Sequence, residues 1–294
     1  MFVWRMPTDR SRRARAAEVT IAAILLVLPM QTLAATNYQV AAPMPAPSTR
    51  PSWADEFTTK AIDQTKWRFD TANNKTGWFN HERQYYAADR PENARIEDGA
   101  LVIEARRESL PDKPDWGGQT YTSAKLVSRV SHDYGFYEIH AMLPCARGTW
   151  PALWLLPRTG KWPDAGEIDV MEMVGWQPNI VHATLHTAAF NHAKGTQRGG
   201  QIDVPTACTA YHRYQLDWRQ DSITIGVDDK AYMRVANDRR GGADAWPFTR
   251  PYDLILNLAI GGDWGGVKGI DDAALPQRMR IDYVRYWKPD RRIR

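Results

Sequence analysis

Apolar and aromatic residues in this chain recur in short runs broken by turn formers, not in the 3.6-residue rhythm of helices. Ala100–Ala105 (ALVIEA) follows a turn at Asp98-Gly99, and Gly135–Leu143 (GFYEIHAML) stays aromatic and β-branched up to Pro144. Ile180–Thr187 (IVHATLHT) alternates, with His182, Thr184 and His186 on one side. Tyr211–Trp218, Ser222–Val227 and Lys230–Val235 read as a meander that turns at Arg219–Asp221 and at Asp228-Asp229. Tyr252–Ile260 and Met279–Trp287 complete the set. No long stretch combines helical periodicity with caps. The strand–turn spacing predicts an all-β sandwich and not alternating β and α units.

One strand breaks the pattern. GEIDVMEMVG, Gly166 to Gly175, sets Glu167, Asp169 and Glu172 inside an apolar run. On a regular strand Glu167 and Asp169 share a face and Glu172 points the other way. On a helix the two glutamates are about 140° apart. A β-bulge at Val170–Met171 that absorbs Met171 would turn Glu172 back onto the face of the other two. The glutamate Cα atoms then lie roughly 13 Å apart. Inward-leaning side chains bring their carboxyls to about 5–5.5 Å, the separation used for glycoside cleavage through a covalent intermediate. In that chemistry one carboxylate attacks the anomeric carbon. The other stays protonated, helped by the neighbouring charge, and protonates the leaving oxygen. Asp169 is placed to hydrogen-bond the nucleophile. A calcium site is the competing reading of three acids. A solvated edge fits poorly, because Ile168, Val170, Met171 and Met173 make the strand apolar.

The N-terminus changes the charge argument. Residues 1–35 run from a basic stretch through the apolar Val19 to Met30 to small residues, and read as a secretory signal peptide cleaved after Ala34 or Ala35. They carry five Arg against Asp9 and Glu18, a net of +3, so the chain's +4 falls to +1 without them. Nothing then points to a nucleic-acid partner, or to a membrane once the signal is removed. The expected compartment is secreted or periplasmic. Residues 36–51, which include AAPMPAPSTRP, read as a Pro-rich extended spacer, and 52–290 as one domain. Cys145 and Cys208 in an exported chain suggest one disulfide, against two buried thiols.

Thirteen tryptophans are many for this length. Core packing accounts for Trp67, Trp218 and Trp287. Others, including Trp78, Trp150, Trp154, Trp162, Trp176 and Trp264, sit beside turn residues, where rings on a concave sheet could stack on sugars.

At the acidic strand the chain resembles glycoside hydrolase family 16, whose signature is Glu-apolar-Asp-apolar-(optional residue)-Glu. Glu167-Ile168-Asp169-Val170-Met171-Glu172 is similar to the version with the extra residue. The likeness extends through WFNHERQYY (Trp78–Tyr86), GTWPALWLLP (Gly148–Pro157), LILNLAIGG (Leu254–Gly262) with Trp264, and IDYVRY (Ile281–Tyr286). The resemblance implies a β-jelly-roll sandwich of two curved antiparallel sheets with a concave substrate cleft. It implies Glu167 as nucleophile, Asp169 as its partner and Glu172 as acid/base. Asn80, Glu82, Arg129, Trp150, Trp154, Trp162, His186 and Asn257 fall where the family lines its cleft. No cofactor is implied for catalysis. A structural Ca²⁺ is implied at the Asp282 carboxylate with backbone oxygens of Glu56 and Gly99.

The motifs most resemble the laminarinase-like branch, which implies a monomeric retaining endo-β-1,3-glucanase acting on laminarin-type and mixed-linkage β-glucan. Alternatives on the same fold are an agarase-like or other galactan hydrolase, a transglycosylase, and a non-catalytic β-glucan-binding module. The last generally lacks the acids that stand here. Two positions depart from the family pattern: Phe79 where a small residue is common, and Leu275 where an aromatic often precedes the proline.

Overall fold

The computed structural model describes residues 38–47 and 49–289; the expected signal peptide lies outside them. Every run expected from the pattern forms a strand, because β-branched and aromatic side chains pack well on a pleated surface. The runs appear as Ala100–Ala105, Gly135–Met142, Ile180–His186, His212–Trp218, Ser222–Val227, Lys230–Ala236, Tyr252–Ile260 and Gln277–Trp287. The turn at Asp228-Asp229 is a two-residue hairpin: both residues take left-handed φ, 51° and 66°, and Val227 pairs with Lys230. That is the turn whose twist matches the flanking strands, and aspartate tolerates its backbone.

The strands assemble into two large antiparallel sheets, beside which Gln84–Tyr86 and Tyr121–Ser123 form a separate parallel pair. The first, of nine strands, runs Gln39–Pro43, Lys230–Ala236, Ser222–Val227, His212–Trp218, Gly135–Met142, Gln277–Trp287, Ala100–Ala105 and Ala94–Glu97, with Trp53–Asp55 also pairing Gln277–Trp287. The second, of seven strands, runs Arg198–Asp203, Ile180–His186, Glu167–Glu172, Thr149–Pro157, Tyr252–Ile260, Lys125–His132 and Trp67–Phe69. One core fills the space between them, drawing Leu101, Ile139, Leu216, Ile223 and Ile281 from the first sheet and Leu126, Leu153, Ile168, Leu185 and Leu256 from the second. Trp67 and Trp218 are fully buried there, while Trp287 packs half-buried at the rim. This is the expected jelly-roll sandwich.

Thr149–Pro157 is a central strand that the hydrophobic pattern hides, because Pro151 argues against one. The register explains the tolerance. Pro151 offers its carbonyl to Met173 N at 3.3 Å, just past the last paired rung of the acidic strand, Ala152 with Glu172. Its missing N–H lies on that same side, so the ring forfeits one bond near the end of the ladder, which closes with Gly175 N donating to Thr149 O at 2.9 Å.

The segment read as a spacer is partly built into the fold. Gln39–Pro43 pairs with Lys230–Ala236, Met44 is buried against Gly226, and Gln39 Nε2 donates to Gln201 O at 2.9 Å. An edge strand carries a free row of N–H and C=O groups, and an extended segment covers it. Cys145 and Cys208 form a disulfide with Cα atoms 5.7 Å apart, joining the end of Gly135–Met142 to the turn before His212–Trp218. Among the described residues no helix is long and apolar enough to cross a membrane.

Candidate active site

The bulge expected in the acidic strand is present. Against Thr149–Pro157 the pairs run Ile168 with Leu155 and Asp169 with Trp154, then Met171 with Leu153 and Glu172 with Ala152, so Val170 is skipped. Against Ile180–His186 the pairs are Glu167 with His186, Asp169 with Thr184 and Glu172 with His182, which leaves both Val170 and Met171 opposite Ala183. Val170 and Met171 therefore both enter the core, with Ile168 and Met173, and all four are fully buried. Glu167, Asp169 and Glu172 share the opposite face.

Each acid has a distinct setting. Asp169 is the deepest, 3% exposed, and its Oδ2 lies 3.3 Å from His186 Nε2. The same nitrogen is 3.8 Å from Glu167 Oε1. Burial, then the Asp169 charge, pushes the Glu167 carboxyl well above the usual range, while His186 and a hydrogen bond with Trp162 pull it back. Burial likewise raises Asp169, and its hydrogen bond with Glu167 opposes that rise. Glu172 accepts the Trp150 indole N–H at 3.0 Å. It is pushed up to about 8, first by burial and then by the Asp169 charge. Carboxylates this close disfavour one another's ionisation, and Glu172 is the one most plainly held as the protonated acid.

Aromatic and amide groups extend from the acids across the sheet. Trp154 Nε1 donates to Asn257 Oδ1 at 2.7 Å, and Asn257 Nδ2 donates to the Tyr86 hydroxyl at 2.9 Å. Glu82 accepts from Gln84 Nε2 at 2.8 Å and is raised by burial. Asn80 lies in the same turn with a left-handed φ of 55°. Trp162, 41% exposed, stands over His186 at 5.9 Å between ring centres. Arg129 is the expected contact that turns elsewhere. Its Nε donates to the carbonyls of Gln64 (2.6 Å) and Trp67 (3.1 Å), which ties it to the far edge of the sheet.

Two further neighbours, Lys125 and His182, lie outside the expected contacts. Lys125 sits 5.3 Å over the Trp154 ring and 4.9 Å over Trp78, and pairs with Asp70 at 3.0 Å. His182, opposite Glu172, meets Trp264 edge-on at 4.9 Å, and burial lowers it to about 4, so it is neutral beside the acid. A lone lysine or histidine on a strand carries no motif; only the register brings these beside the acids.

Two places bear on metals. Ligand atoms of Glu167, Asp169 and His186 lie within 4.8 Å of one another, close enough to surround a cation. The raised carboxyls, however, match acid/base work better than a site that needs every oxygen ionised. Far from them, Asp282 sits at a register break in Gln277–Trp287, between the parts that pair with Ala100–Ala105 and with Trp53–Asp55. The register thus brings it towards Gly99 and Glu56. Asp282 Oδ2 lies 2.8 Å from His140 Nδ1, and the Glu56 carboxylate is held by Arg285 at 2.8 and 2.9 Å. One carboxylate oxygen and backbone carbonyls remain, a donor set that fits a hard cation completed by water.

The model of the family described as glycosyl hydrolases family 16 matches residues 81–285. A β-glucanase of Rhodothermus marinus is 47% identical over 248 residues, covering 80% of this chain and 84% of that protein. A glucan endo-1,3-β-glucosidase of Cryptopygus antarcticus is 35% identical, covering 80% and 90%. The crystal structure of a non-specific endo-β-1,3(4)-glucanase of family GH16 superposes with a TM-score of 0.83 at 50% identity, covering 86% of this chain and 96% of that one. The bulged strand with its row of acids is thus set in a chain that belongs to glycosyl hydrolase family 16.

Proposed function

We propose that this protein is a secreted, retaining endo-glycosidase that hydrolyses β-1,3-glucan, including mixed-linkage chains. The observation that carries the reading is the bulge at Val170–Met171, which sets Glu167, Asp169 and Glu172 on one face beneath a row of aromatic and amide side chains. The substrate class is supported by the likeness to the β-1,3-glucanases above.

Glu167 is the nucleophile. Asp169, the more deeply buried partner, shares a hydrogen-bonded proton with Glu167, which must pass to Asp169 for Glu167 to attack, and His186 Nε2 faces both carboxyls. With that proton on Asp169, the negative charge on Glu167 is stabilised at the moment of attack. Glu172 is the general acid. As the Glu167 oxygen bonds to the anomeric carbon, the glycosidic C–O bond breaks and the Glu172 proton passes to the leaving oxygen. Water then enters. Glu172 takes its proton, the water oxygen bonds to the same carbon, and the ester to Glu167 breaks. Two displacements restore the β configuration. Trp150 aims Glu172 through its N–H, and Trp154, Asn257, Asn80, Glu82 and Trp162 line the path of the sugar chain. A Ca²⁺ at Asp282, Glu56 and Gly99 would brace the fold and take no part in the chemistry.

The test offers the purified protein laminarin, mixed-linkage β-glucan, agarose and a sulfated galactan, with products sized. Short β-1,3-gluco-oligosaccharides are expected. Activity confined to a galactan would overturn the substrate assignment, and binding without cleavage would overturn the enzyme.

A further inference from the structure

Phe79 is the large hydrophobic side chain that the fold leaves most open among the described residues. It is 73% exposed, against 41% for Trp162 and Val267 and 40% for Val130. It also stands where a small residue is common in the family resembled, so the turn itself does not require it.

The turn that carries it is stiff. Trp78, just before, is 7% exposed, with its ring on Tyr86 and its N–H donated to Asn74 Oδ1 at 3.0 Å. Asn80 and His81 hold left-handed φ values of 55° and 53°, conformations that persist only where neighbours enforce them. His81 Nδ1 lies 2.9 Å from the Asp263 carboxylate, Arg83 N donates to Ile260 O at 2.9 Å, and Glu82 bridges to Gly261.

One contact fixes the turn relative to the acids. Gly262 is pressed so close that an added Cβ would meet Asn80 O at 2.9 Å, Glu82 Cγ at 3.3 Å and the Trp150 ring at 3.4 Å. Trp150 is the residue whose N–H holds Glu172. Phe79 therefore stands on the rim of the cleft, one residue out from Asn80. A ring carried into water on a fixed turn at that place has no aromatic or core partner among the described residues. The apolar face of a pyranose matches it in shape, and a stack there needs no reordering of the turn.

We propose that Phe79 is an added sugar-stacking platform, which binds a glucose unit of a long β-glucan beyond the units held at the acids. The inference rests on the glucanase reading above and extends it: this enzyme favours polymer over short oligosaccharides. The source of the preference is the exposed ring that this turn presents.

The test compares wild type, Phe79→Ala and Phe79→Trp on a ladder of β-1,3-gluco-oligosaccharides and on laminarin. Losing one exposed stack worth about 1 kcal/mol raises KM about five-fold. The rise is expected only above a threshold chain length, with kcat retained and with Phe79→Trp restoring the wild-type KM. Thermal unfolding of Phe79→Ala should match wild type, since the ring buries little. A KM unchanged at every length would overturn the platform. So would an equal penalty at every length, which would mean that Phe79 only props Asn80, and so would a change in sedimentation with no change in KM, which would mark the ring as a protein contact. If wild type cleaves no glucan at all, the glucanase reading falls first and this inference with it.

Discussion

Replacing Glu172 by Gln should stabilise the protein at neutral pH while removing its activity. Burial and the Asp169 charge lift the folded carboxyl from 4.5 to about 8. The unfolded chain releases this proton near 4.5, whereas the folded protein holds it until about 8. Stability that is full below pH 4.5 is therefore lost as pH rises between the two values, at about 1.4 kcal/mol per unit. The loss reaches about 3 kcal/mol at pH 7 as an upper bound. Part of the side chain borders the open cleft, and water there reduces the effect to about 1–2 kcal/mol. The substituted amide would keep the shape and accept from Trp150 without ever ionising. The two proteins should unfold alike at pH 4. The variant should gain steadily above pH 5, reaching a melting temperature about 3–6 °C higher at pH 7 for a domain of this size. Denaturant and thermal unfolding from pH 4 to 8.5 measure this directly. A stability difference that does not change with pH, or a variant weaker than wild type at pH 7, would refute the argument that the acid is held protonated by its surroundings.

The other outcomes follow from the same geometry. Glu167→Gln and Glu172→Gln should each reduce turnover of polysaccharide by at least about 10³-fold. Azide should rescue Glu172→Gln as the β-glycosyl azide, on a substrate with a good leaving group, and a β-azide formed by Glu167→Gln would reverse the roles. Trp150→Phe removes a donor to the Glu172 carboxylate, so the alkaline limb of the pH–rate profile should move up; a downward move would contradict the contact. Reducing the Cys145–Cys208 disulfide, which closes a separation of 63 residues, should cost about 4 kcal/mol in denaturant unfolding. Chelator should lower the melting temperature of wild type but not of Asp282→Ala, and equal shifts in both would remove calcium from Asp282.

Much of the scaffold was legible in the sequence because strands announce themselves through β-branched and aromatic runs. The meander from Tyr211 to Val235 and the closing strand at Met279–Trp287 appear almost residue for residue. Thr149–Pro157 stayed hidden because Pro151 is tolerated through its place near the end of the ladder with Glu167–Gly175, a fact of register. Gln39–Pro43 looked like a tether because nothing local shows that Lys230–Ala236 is an open edge awaiting it. The bulge, in contrast, was written into the spacing: three acids in an apolar strand can face one way only if one residue is absorbed. The extra residue differs slightly by side, since Val170 is the one skipped against Thr149–Pro157. Arg129 shows the limit. Strand register places its Cα, but its long side chain chose the carbonyls of Gln64 and Trp67 over the cleft. Lys125 and His182 reach the site through pairings made across distant segments, which no local pattern encodes.

The central claim is that Glu167 and Glu172, set on one face by the bulge, cleave β-1,3-glucan by two displacements at one carbon. Proton NMR of the first reducing ends released from laminarin tests it most directly. The β-anomer is expected first, with the α-anomer appearing only as the sugar mutarotates. An α-anomer formed first would mean a single displacement by water, and would contradict Glu167 as the nucleophile.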